Sequence, residues 1–111
     1  MGQSITMKQN DTSPSYIMEI TTPGVSLVGA TAVLITRIKG GAVVINRRDL
    51  PILKDAWDQN GGPELLLDWQ AGDTATVGQF EMEVEVTYAD LHVETFPKDD
   101  YDTLNVIDDI G

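Results

Sequence analysis

Along residues 78–88, Phe80, Met82, Val84, Val86 and Tyr88 alternate with Glu81, Glu83, Glu85 and Thr87. A period of two sustained over this length predicts a β-strand with one face in a core and the other in water. As a helix the same residues would scatter apolar groups around the whole circumference and leave no face to bury. The three glutamates project to one side of the strand and predict a solvated face that deters edge pairing.

Shorter runs of the same kind flank this strand. Ile5–Lys8 reads as a first strand, ended by the turn cluster Asn10-Asp11-Thr12-Ser13-Pro14. Tyr16–Thr21 places Tyr16, Met18 and Ile20 on one face and is closed by Thr22-Pro23-Gly24. After an apolar connector at Val25–Gly29, two β-branched runs, Ala32–Ile38 and Ala42–Ile45, are separated by Lys39-Gly40-Gly41. Glycines between such runs predict a hairpin, because they supply the positive φ that a tight turn requires. Glu64–Trp69 is a further strand, and Ala89-Asp90 reverses the chain after the organising strand. Leu91–Phe96 and Tyr101–Ile107 follow, with a break at Pro97–Asp100.

Arg47–Gly62 reads two ways. Asp49 caps a short helix with Pro51 in its first turn, Ile52, Leu53, Ala56 and Trp57 on one side, and Gly61-Gly62 as its stop. Alternatively, Pro51–Lys54 is a brief strand. The count of about eight short strands at regular turn spacing predicts an all-β antiparallel sandwich or barrel. A chain of 111 residues has the size of one domain with a single core. No internal repeat or linker divides it.

Charge narrows the partners. Seven Lys+Arg against 18 Asp+Glu give a net charge of -11, which repels phosphate backbones and anionic lipid and so argues against nucleic acid and membrane surface. No apolar run is long enough to cross a bilayer, and the first residues lack the layout of a signal peptide, so the expected site of synthesis and residence is the cytoplasm. Met1-Gly2 is followed by only the downstream hydroxyl of a myristoylation motif, and that modification is not expected. With no cysteine, stability must come from packing and backbone pairing.

Candidate chemistry is sparse. His92 is the lone histidine, and no serine sits in a nucleophile-elbow context, so His92 reads as a strand residue beside a turn rather than a base. The alternating oxygens of Asp58-Gln59-Asn60 followed by Gly61 resemble half a calcium loop. The position that needs a bidentate carboxylate falls on Trp69, however, and the EF-hand reading fails. Asp99, Asp100 and Asp102 form a looser candidate cation site, against the commoner reading of clustered acids as solvated surface. Arg47-Arg48, the basic doublet, is placed to meet carboxylates of a neighbouring subunit. Trp69, at a strand end, reads as a core plug whose indole N–H finds a carbonyl. Trp57 fits an interface anchor as well as a core position.

Four stretches together carry a resemblance. They are Gln9-Asn10-Asp11-Thr12, Leu27-Val28-Gly29-Ala30-Thr31, Trp69-Gln70-Ala71-Gly72-Asp73-Thr74 with Gly78-Gln79-Phe80, and Glu83–Asp90 leading to Thr95-Phe96-Pro97 and Tyr101. In this order they are similar to a group of small tailed-bacteriophage proteins related to the N-terminal domain of the phage baseplate upper protein. The resemblance implies an immunoglobulin-like β-sandwich that serves as a virion structural module, in the head, neck, tail or baseplate, made in the host cytoplasm and present in multiple copies. It implies no catalytic residue and no cofactor. The chain has Leu91 where relatives carry Gly, predicting a hairpin wider than two residues. It has Phe80 where they carry Tyr, which removes the hydroxyl of a tyrosine corner.

The residues expected to touch other virion proteins are Trp57, Arg47, Arg48, Asp108 and Asp109, with the chain ends ordered by those contacts. The competing expectation is a carbohydrate- or receptor-binding sandwich with Trp57, Asp55 and Asp58 as its site.

Overall fold

The computed structural model describes residues 4–97 and 102–108. Among the described residues, nine strands form two sheets: β1 (Ser4–Lys8), β2 (Tyr16–Glu19), β3 (Thr31–Ile38), β4 (Val43–Asp49), β5 (Ile52–Lys54), β6 (Glu64–Leu67), β7 (Gly78–Thr87), β8 (Val93–Phe96) and β9 (Asp102–Ile107). Among the described residues there is no helix. The larger sheet has the order β1-β9-β7-β3-β4 with β8 also on β7, and the smaller has the order β2-β6-β5. The all-β sandwich expected from the strand pattern is the architecture observed.

The organising strand lies at the centre of the larger sheet. β3 pairs with Phe80–Thr87 on one side, while β9 and then β8 share the other side, pairing with Gly78–Met82 and Val84–Thr87. Phe80, Met82, Val84 and Val86 are buried, as their alternation requires. Glu81, Glu83 and Glu85 are half-buried rather than fully solvated. They do not deter edge pairing, because the strand has no open edge. Instead, cross-strand arginines cover two of them: Arg37 meets Glu81 at 3.0 Å and Arg47 meets Glu85 at 2.7 Å.

Three further expectations change. The sheet is not wholly antiparallel, since β1 runs parallel to β9, with Ser4 opposite Thr103 and Lys8 opposite Ile107. Asp49 ends β4 instead of capping a helix, and Ile52–Lys54 takes the strand alternative, pairing with β6. The reason is tertiary: Leu50 is buried and its N–H bonds to the Ala32 carbonyl at 2.9 Å, so the chain is held extended as it passes from one sheet to the other. The Trp69 ring is buried as expected, but its indole N–H has no partner among the described residues.

The edge strand β4 is irregular. Its register on β3 shifts between Leu34 and Thr36 and again between Thr36 and Arg37, and Arg47 adopts φ 58°. Bulges of this kind bend the strand and increase its local twist. The buried Thr36 hydroxyl accepts the Ile45 N–H at 3.2 Å, satisfying a donor beside the irregularity.

The turn after β7 is a three-residue loop, wider than two as Leu91 implied. Leu91 N–H donates to the Tyr88 carbonyl and Tyr88 N–H to the His92 carbonyl, both at 2.8 Å, with Leu91 at φ 72°. That left-handed position penalises a β-carbon, and the Leu91 side chain is 79% exposed and gains little in return. Leu91→Gly is therefore expected to stabilise the domain by about 0.5–1 kcal/mol after glycine's own entropy cost, read as a rise in melting temperature. Trp69→Ala is expected to cost about 3–5 kcal/mol. Trp69→Phe should cost clearly less, because it also removes an unpaired buried donor. Equal losses for the two variants would show that the ring's bulk is not what matters.

Candidate functional site

The basic doublet is divided between the two sides of the sheet. Arg47 reaches the outer face and Glu85, whose carboxylate raises the arginine's pKa by hydrogen bonding. Arg48, opposite the inward-facing Leu34, reaches the loop that leads from β6 into β7 and forms a two-pronged pair with Asp73. One of these bonds, from Nη2 to Oδ1, measures 2.7 Å; the other joins Nη1 to Oδ2. The hydrogen bond to Asp73 raises the Arg48 pKa against the opposing effect of burial. Both guanidinium groups thus meet carboxylates of their own chain.

Asp73 does more than hold Arg48. Its Oδ2 accepts the Gln70 N–H at 2.7 Å, and the next residue, Thr74, donates its hydroxyl to the Asp11 carbonyl at 2.7 Å. The Asn10 N–H returns to the Thr74 carbonyl at 2.9 Å, and the Gln9 side-chain amide donates to the Ala75 carbonyl at 2.8 Å. Gln9-Asn10-Asp11 and Gly72-Asp73-Thr74, far apart in sequence, are therefore one clasp. It ties the end of β1, the β6–β7 loop and β4 together. Gly29, in the second quoted stretch, has φ 73° and lies where a β-carbon would come 3.1 Å from that of Ala89. These motif residues build the fold.

An exposed surface lies elsewhere, on the β5 side. Trp57 is 41% exposed on a loop over residues 55–62 that is firmly held. Lys54 Nζ lies 3.0 Å from Asp58 Oδ1 and 3.4 Å from the Gly61 carbonyl, and the Asn60 N–H donates to Asp58 at 2.8 Å. The lysine first, and then this backbone N–H, hold the Asp58 carboxyl below its usual range. Asp58 and Gly61 also form a two-residue bridge, and Glu19 accepts the Gly62 N–H at 2.8 Å.

Gly61-Gly62, read from sequence as a helix stop, serves a packing purpose. A β-carbon at Gly62 would fall 2.1 Å from the Ile20 carbonyl oxygen and 3.1 Å from the Trp57 ring. The glycine thus lets the Trp57 loop lie directly on the chain beyond β2.

Beside this loop runs an open groove of about 450 Å³, lined by Leu27, Gly29, Ala30 and Ile52–Asp55. Its floor is the outer edge of β5. The Leu66 N–H bonds to the Pro51 carbonyl, so the alternation of an antiparallel ladder turns the N–H and C=O of Ile52 away from β6 and toward the groove. The Asp55 carbonyl accepts the Leu27 N–H at 2.7 Å and closes one end. Val28, Leu53 and Trp57 are all exposed around it. Sequence reasoning found Trp57 but missed the groove, because Leu27–Ala30 and β5 become neighbours only through the sheet crossing at Leu50.

The remaining candidates are dispersed. His92 is exposed in the turn before β8, with a ring nitrogen 3.0 Å from Asp90. Asp90 is held below the usual carboxyl range first by the His92 backbone N–H. The Tyr88 hydroxyl lies 2.5 Å from Glu94, and burial followed by this carboxylate pushes its pKa up to about 12. Asp108 is exposed just past β9, while Asp109, Asp99 and Asp100 lie outside the described residues. Among the described residues, no three His, Asp or Glu side chains converge as a metal site would require.

Comparison of the chain with known protein families, curated proteins and solved structures yields no match.

Variants at two positions separate the clasp from the exposed loop. Arg48→Ala should cost about 2–3 kcal/mol, since it strands a buried carboxylate, and Arg48→Lys should recover little of this because an ammonium lacks the planar fork. Gly62→Ala should cost about 1–3 kcal/mol by overpacking and shift Trp57 fluorescence as the loop lifts. Chemical denaturation monitored by fluorescence and by circular dichroism reads both.

Proposed function

We propose that this protein is a non-enzymatic structural component of a tailed-bacteriophage particle, acting through protein–protein contacts. The observation that carries this reading is the convergence of the quoted motif stretches. Asn10 with Thr74, Thr74 with Asp11, and Gly29 against Ala89 each fix how separate parts of the sandwich meet. A motif series that specifies contacts of this kind is what a shared fold leaves in a sequence. On this reading the sandwich is immunoglobulin-like and sits in the head, neck, tail or baseplate. Its partners are other virion proteins.

The surface suits such a role. A held loop presents Trp57 at low ordering cost, and aromatic anchors on pre-organised loops carry much of the binding energy at protein interfaces. Asp108 and Asp109 extend the acidic character past β9 toward basic partner residues.

A second reading, carbohydrate binding, is favoured by one feature, the exposed Trp57 ring with Asp55 two residues before it. Asp58 is a weaker member of that site, because Lys54 and a backbone N–H already occupy its carboxylate.

Purified phage particles should contain the protein in fixed stoichiometry by mass spectrometry, and added protein should co-sediment with particles that lack it. Attachment should weaken as salt rises, because exposed ion pairs are screened over about 8–10 Å at moderate ionic strength, and also on deletion of 108–111. Absence from particles, together with reproducible binding on a glycan array that is lost in Trp57→Ala, would replace the structural reading with the lectin one.

A further inference from the structure

Charge along the chain is uneven in a way that the net value conceals. No Asp or Glu occurs between Glu19 and Asp49, yet this stretch holds Arg37, Lys39, Arg47 and Arg48, four of the seven basic residues. Arg37, Arg47 and Arg48 meet carboxylates of the same chain. Lys39 lies at the tip of the β3–β4 hairpin, beside Gly40 at φ 71°. The tip is thus a basic point on a strongly acidic molecule, and it is apolar as well: Ile38, Val43 and Val44 are exposed there, with Val77 at the neighbouring start of β7.

The groove on the β5 edge has the opposite character. Asp55 lines it, Asp58 lies on the adjoining loop, and Leu53, Val28 and Trp57 provide exposed apolar surface. The two surfaces lie at opposite ends of one strand. Gly29 and Ala30 in the groove wall immediately precede β3, and the hairpin tip immediately follows it. The eight residues of β3 separate them by about 26 Å at the usual rise of a strand.

We propose that copies of this chain associate head to tail, the β3–β4 hairpin tip of one copy seating in the β5-edge groove of the next. The extended segment Ala42–Val44 then lies along the edge of β5, where the Ile52 N–H and C=O take up backbone hydrogen bonds as in strand addition. Val43 and Val44 cover Leu53, and Lys39 approaches Asp55. Because donor and acceptor surfaces are different and lie at opposite ends, neither satisfies the other within one copy, and the contact propagates as a ring or a filament. Each copy carries a net charge of -11, so the association needs enough salt to screen the general repulsion. This inference rests on the two surfaces and stands apart from the virion reading, which particle composition tests separately.

The experiment is sedimentation velocity over a dilution series at moderate salt. The wild-type chain is expected to form higher species as concentration rises. Val44→Asp and Leu53→Asp, both at side chains about half exposed, are each expected to remain folded by circular dichroism and monomeric. An equimolar mixture of the two is expected to form a heterodimer and nothing larger, since only one intact tip and one intact groove remain. Lys39→Glu and Asp55→Lys, which disturb no apolar contact, should each weaken association, and mixing them should restore it in alternating copies, since both kinds of junction then pair opposite charges. A wild-type chain that stays monomeric at every concentration overturns the proposal. So does a mixture of folded Val44→Asp and Leu53→Asp chains that fails to pair, or either variant assembling as the wild type does.

Discussion

The sandwich depends on the position of β7 between β3 on one side and β8 and β9 on the other. A central strand with a two-residue period must commit one full row of side chains inward, and here the row is Phe80, Met82, Val84 and Val86. A shift of one residue would put Glu81, Glu83 and Glu85 into the core, which no nearby rearrangement would tolerate. The register of β3, β8 and β9 follows from that commitment. So does the placement of the smaller sheet, whose Met18, Leu65 and Leu67 belong to the same core.

The outer row creates a second requirement. Three glutamates spaced two apart on one strand repel each other, and half-burial by neighbouring strands strengthens the repulsion. Arg37 from β3 and Arg47 from the irregular part of β4 relieve it at Glu81 and Glu85. The same departure from regular pairing that positions Arg47 also bends the outer strand of the larger sheet. On the other side of β4, Arg48 closes the sandwich by holding Asp73, and through Thr74 the clasp extends to the chain after β1. Most of the chain's basic residues are therefore consumed in holding the fold, and Lys39 stands out at the hairpin tip.

Two exposed surfaces fall at the ends of β3. At one end is the hairpin tip with its valines and lysine; at the other are the groove and the Trp57 loop. The loop is fixed by Lys54, Glu19 and two glycines rather than by a core of its own. It can therefore present an aromatic ring without being part of the packing that stabilises the domain.

By itself the sequence determined what depends on neighbours along the chain: the inward row of β7, the hairpin at Lys39-Gly40-Gly41, the strand ends at turn clusters, and the burial of Trp69. Each follows from period, backbone preference or the absence of a β-carbon, which are local properties. Tertiary structure alone decided the strand at Ile52–Lys54 over the helix, the parallel pairing of β1 with β9, the own-chain partners of Arg47 and Arg48, and the groove beside Trp57. In each case the outcome rests on groups far apart in sequence, as when Leu50 bonds to Ala32 or Arg48 to Asp73. Short-range preferences differ there by less than the free energy of one buried contact, so the partner supplied by the fold decides.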